Sequence, residues 1–165
     1  MVFNQSENMR SGFELCCLQI ISGEILMERN VQVNIKGLHN NEDDSTSVGT
    51  ISDGKYYLRN GKHYISYEET DAESGQKSNS IIKIYDENVE LIRRGNAATH
   101  LYFGKGKVHK TSLQTIMGLL FIEIDTEKVE LDFSETGIKA VVEYSILMDG
   151  ERVSNSKVEI SVKYV

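Results

Sequence analysis

Across residues 31–164 the apolar side chains recur at every second position, and nowhere in that span do they hold the 3.6-residue period of an amphipathic helix. Val31, Val33 and Ile35 alternate with Gln32, Asn34 and Lys36. Leu120, Ile122 and Ile124 alternate with Phe121, Glu123 and Asp125, and Val129, Leu131 and Phe133 with Glu130 and Asp132. Ile138, Ala140, Val142, Tyr144, Ile146 and Met148 make one long apolar face, and Val158, Ile160, Val162 and Tyr164 another. Side chains of a strand point alternately to its two sides, so each segment is a strand with one dry face and one wet face.

Turn chemistry separates these segments. Asn60-Gly61, between strands expected at 46–59 and 62–69, suits a type I′ hairpin, which needs positive φ at both central positions. Ser74-Gly75, the stretch 86–88, Gly104-Lys105-Gly106 and Asp149-Gly150 mark further turns, the glycines around 104 lying between strands expected at 99–103 and 108–113. Residues 39–47, with Asn40, Asn41, Glu42, Asp43 and Asp44 in a row, are expected as a solvated loop; their carboxylates lack the spacing and the glycine of a calcium loop. Proline is absent, which fits long hydrogen-bonded strands. Consecutive hairpins with one apolar face each bury those faces together, and lose their edges, by curling. The expectation is therefore an all-β fold, an antiparallel up-and-down barrel of about eight to ten strands, as a single domain over residues 27–165.

Residues 1–26 differ from the rest, with no alternation and both cysteines. They read as an N-terminal extension with two explanations. One is an upstream start ahead of a native Met27, since codons for Gly23 and Glu24 can spell a purine-rich ribosome-binding site. The other is a short amphipathic helix over residues 12–25.

Composition narrows the function classes. A net charge of −7 and a pI near 5.1 disfavour nucleic acid and anionic membrane as partners. No run of about 18 apolar residues spans a bilayer and no leader pattern stands out, so the expected compartment is the cytoplasm. Cys16 and Cys17 are adjacent, which is neither a disulfide framework nor a metal spacing, and His39, His63, His100 and His109 are scattered. There is no Gly-x-Ser-x-Gly elbow and no phosphate-loop glycine spacing. Neither metal nor cofactor is expected, and no catalytic machinery points to an enzyme.

One constellation stands out. Ile65, Tyr67 and Glu69 share a strand face, as do Val89, Leu91 and Arg93, so a phenol, a carboxylate and a guanidinium are directed at the apolar side of two strands. A buried charge needs a partner. Arg93 with Tyr67 can grip the carboxylate of a ligand while the interior takes its hydrocarbon part, or Arg93 can pair with Glu69 and stay structural. A second cationic group, Arg94, Lys105, Lys107, His109 and Lys110, is an anion patch or a solvated edge.

Laid out in this order, the chain resembles the YwiB-type family of small bacterial proteins, a domain-of-unknown-function family. The matching pieces are Lys36-Gly37, Asp53-Gly54-Lys55-Tyr56-Tyr57, Tyr67-Glu68-Glu69 followed by Gly75, and Arg93-Arg94-Gly95. They continue with Phe103 before the 104–106 turn, Thr115, Gly118, Thr126 and the strand of Tyr144. The chain departs from the pattern at residues 113–117, where an aromatic residue and a proline are expected. The resemblance implies a calycin-like barrel akin to lipocalins and fatty-acid-binding proteins, and carries no activity with it. Two functions are expected: a barrel binding a small, mostly apolar anion at Arg93, Tyr67 and Glu69, or a packed barrel that docks a protein partner or its own copy.

Overall fold

In a computed structural model of the chain, the backbone is described for residues 17–21, 24–40, 45–71, 74–95 and 98–165, and side chains from residue 27 onward within those segments. Among the described residues eleven strands follow in order: β1 Cys17–Ile21, β2 Glu24–Asn40, β3 Ser45–Arg59, β4 Lys62–Thr70, β5 Lys77–Tyr85, β6 Asn88–Arg93, β7 Thr99–Gly104, β8 Val108–Thr115, β9 Gly118–Phe133, β10 Gly137–Met148 and β11 Glu151–Tyr164. Ten of them form one antiparallel path, β7-β6-β5-β4-β3-β2-β11-β10-β9-β8, with β1 added to the start of β2. Neighbours in this path are neighbours in the chain except where β11 returns to β2. The result is a nearly closed barrel.

Its ends, β7 and β8, meet across a seam without a ladder. There the hydroxyl of Thr111 donates to the carbonyl of His100 at 2.9 Å, and the intervening turn bonds back to Thr126, Gly106 N–H to its carbonyl at 3.0 Å. The expected hairpin around Gly104 is thus a turn whose two strands do not pair.

Every second side chain fills the interior. Phe103, Ile65, Ile82, Ile84, Val89 and Val142 are all fully buried, each burial contributing about 1.5–3 kcal/mol. Phe103 packs against Tyr144 with ring centroids 4.8 Å apart. The Asn60-Gly61 turn has positive φ at both residues, 51° and 70°, as its sequence demands.

Three differences from the sequence reading have physical causes. Ile122, Ile124 and Thr126 fall on even positions and Val129 and Leu131 on odd ones, yet all belong to one strand. The change of phase is absorbed by a bulge at Glu127, where Tyr144 opposes Thr126 and Glu143 opposes Lys128. The loop expected over residues 39–47 is mostly strand: β2 runs to Asn40 and β3 starts at Ser45, with residues 41–44, and the acidic cluster on them, outside the described residues. Of the helix expected over 12–25, residues 17–21 and 24–25 are extended and paired as β1 with β2; residues 1–16 and 22–23 lie outside the described residues.

Candidate functional site

Strand register assembles the site. Gly54 opposes Tyr67, Tyr67 opposes Ser80, Ser80 opposes Arg93 and Arg93 opposes Thr99, a single row across β3 to β7. Directly opposed residues share a face, so the phenol, the hydroxyl and the guanidinium stand side by side on the inner wall, with Glu69 two positions along β4 on the same face. Gly54 makes the close approach possible: a Cβ there would lie 2.5 Å from the carbonyl oxygen of Ser66 and 3.2 Å from the Cβ of Tyr67.

The three expected residues meet. Arg93 Nη2 donates to Glu69 Oε2 at 2.5 Å, and Ser80 Oγ donates to the same oxygen at 3.4 Å. Glu69 and Ser80 both lie within hydrogen-bonding reach of the Tyr67 phenol. Burial, and then the negative charge of Glu69, push the phenol well above the ordinary tyrosine range, so Tyr67 stays a proton donor. Exposure separates the members of the group. Tyr67 is buried and the Glu69 side chain is 12% exposed, but the Arg93 side chain is 46% exposed. The guanidinium is therefore at a rim, not sealed in the interior, because β6 ends at Arg93 and the chain leaves the wall there.

The rim opens into a cavity of about 290 Å³. Tyr67, Glu69, Ser80, Arg93 and Thr99 form its polar side, and Ile35, Leu91, Ile92, Leu101 and Leu113 its apolar side. Two larger surface grooves are also present, the second sharing Glu69 with this cavity. One of about 500 Å³ crosses β8 to β10 beside Phe121, with Lys110 and Glu123 already paired at 3.0 Å. The other, of about 430 Å³, is acidic, running from Asp53 to Glu68 and Glu69.

Ser80 and Thr99 escaped the sequence reading. Ser80 interrupts the apolar face it shares with Ile82 and Ile84, which is a visible signal, but placing it beside Arg93 takes the register. A second polar group lies on the opposite face of β6. Glu90 is buried on the outside of the barrel, accepting from the Tyr85 hydroxyl at 2.6 Å, with His100 Nε2 at 2.7 Å and Lys83 Nζ at 3.6 Å. Burial alone would raise its pKa, yet the hydrogen bonds from Tyr85 and His100 and the charge of Lys83 together hold it below the usual carboxylate value. Of the expected cationic group, Lys107 donates to the Tyr102 hydroxyl at 3.2 Å, His109 lies against the same ring with centroids 5.6 Å apart, and Lys110 pairs with Glu123. Among the described residues no set of His, Cys, Asp and Glu side chains converges on a metal site, and no helix is long and apolar enough to cross a membrane.

Comparison with known proteins follows the same lines. The domain of unknown function DUF1934 matches residues 33–160. The crystal structure of the ywiB protein from Bacillus subtilis superposes with a TM-score of 0.73 at 19% identity, covering 84% of this chain and 93% of that one, a likeness of fold. No curated protein matches the chain.

Proposed function

Since the chain belongs to the DUF1934 family, whose function is unknown, its role has to be read from the barrel, and we propose that it is a binding module, not an enzyme, for a small, mostly apolar anion. The observation that supports this is the half-exposed guanidinium of Arg93 at the edge of a cavity with one polar and one apolar side. A guanidinium carries five N–H donors in a planar fork, and Glu69 engages Nη2. The remaining donors suit a carboxylate, while Leu91, Leu101 and Leu113 suit a short hydrocarbon.

Native mass spectrometry of protein purified without added ligand, beside the Arg93→Ala variant, tests the reading. A small anion that travels with the parent and is lost from the variant supports it. A bare parent chain that takes up neither hexanoate nor any other small carboxylate sinks it. Exposed Ile116, Met117 and Phe121 around the β8–β9 turn favour a second reading, a docking surface for a protein partner or another copy. A dimer mass that Met117→Ser abolishes would favour that reading.

A further inference from the structure

Building on that reading, we infer that the ligand is a zwitterion: a small α-amino acid with an apolar side chain, its carboxylate on Arg93 and its ammonium on Glu69. Among the described residues lining the cavity, Arg93 is the one cation and Glu69 the one anion, so the site is neutral before anything binds. A plain carboxylate on Arg93 would stand against the carboxylate of Glu69, which is 12% exposed and poorly shielded by water. A ligand carrying a positive group beside its carboxylate removes that repulsion.

The hydrogen-bonding capacity agrees. A carboxylate has about four acceptor positions, and Arg93, Ser80 and Tyr67 approach Glu69, leaving room for an N–H donor. In an α-amino acid the two charged groups sit on one carbon, matching a donor and an acceptor that already touch at 2.5 Å. The side chain then extends toward Leu91, Leu101 and Leu113. A volume of about 290 Å³ is about ten water volumes, room for one such molecule.

Isothermal titration of the full chain near neutral pH with three probes decides the matter. They are L-leucine, 4-methylpentanoate, which is the same skeleton without the amine, and 3-methylbutylamine, which lacks the carboxylate. Leucine is expected to bind at least about tenfold more tightly than 4-methylpentanoate, the worth of one charge-assisted hydrogen bond, and the amine to bind most weakly. Glu69→Gln is expected to weaken leucine about tenfold while tightening 4-methylpentanoate, whose repulsion by Glu69 it removes, and Arg93→Gln to weaken both. The comparison within the parent protein needs no variant, so a variant that fails to fold does not blunt it. If 4-methylpentanoate binds as tightly as leucine, the zwitterion is wrong and the anion-binding reading stands. If neither binds at about 10 mM, both are wrong.

Discussion

Replacing Arg93 by alanine separates a ligand anchor from a structural ion pair, because the two roles predict different losses. The Arg93 side chain is 46% exposed, so its attraction to Glu69 is screened, and an exposed pair of this kind contributes about 0.2–1 kcal/mol. Glu69, 12% exposed, loses its charged partner but keeps Ser80 and Tyr67, which limits the further cost to roughly 1 kcal/mol. The expected destabilisation is about 1–2 kcal/mol, against about 3–5 kcal/mol for breaking a sealed pair. At this chain length that is a fall in Tm of roughly 2–8 °C. Binding should suffer more: losing a charge-assisted contact of about 1.5–3 kcal/mol weakens a carboxylate ligand roughly 10- to 100-fold. Urea unfolding followed by circular dichroism measures the first quantity and titration with hexanoate the second. A loss of 3 kcal/mol or more in stability with hexanoate affinity unchanged would refute the reasoning.

Other consequences follow from the same geometry. Gly54→Ala drives a methyl group against backbone in β4, and since backbone yields less readily than a flexible side chain it should cost about 1–3 kcal/mol in urea unfolding and weaken hexanoate by moving Tyr67. Phe103→Ala empties the centre of the core beside Tyr144 and should cost about 3–5 kcal/mol by the same assay, a value below 1 kcal/mol speaking against a packed interior there. Burial lowers the pKa of His63 below the ordinary 6.5. The folded state therefore binds fewer protons than the unfolded one, so this contribution is complete above about pH 6.5 and fades as the pH falls through the lowered value. The variant His63→Gln should show a flatter decline of stability over that window, and an unchanged slope would contradict the assignment.

Most of the architecture was legible because nearly every strand has one wet and one dry face, and alternation is visible only there. It vanished at the start of β3, where residues 45–51 are exposed on both faces, so the loop expected over 39–47 overran the first residues of that strand and the last two of β2. In β9 the alternation was present but out of phase on the two sides of Glu127, and a single strand passed for two. The meeting of Tyr67, Glu69 and Arg93 was legible from faces alone, since a carboxylate and a guanidinium on the dry faces of β4 and β6, with only β5 between them, have every reason to pair. The half-exposure of Arg93 was not, because it depends on where β6 leaves the wall. Glu90 fell on the wet face by alternation, and only the reach of Tyr85, Lys83 and His100 over the sheet surface buries it.

The claim that Arg93 and the leucines of the cavity hold one ligand is tested most directly by nuclear magnetic resonance. L-leucine is titrated into isotopically labelled protein while the Arg93 side-chain N–H and the methyl groups of Leu91, Leu101 and Leu113 are followed. All four sets of signals should shift together along one saturating curve, with the methyls of Ile116 and Leu119 on the outer surface unmoved. Shifts confined to the outer residues, or an Arg93 signal that stays in place while the ligand binds, would contradict the account.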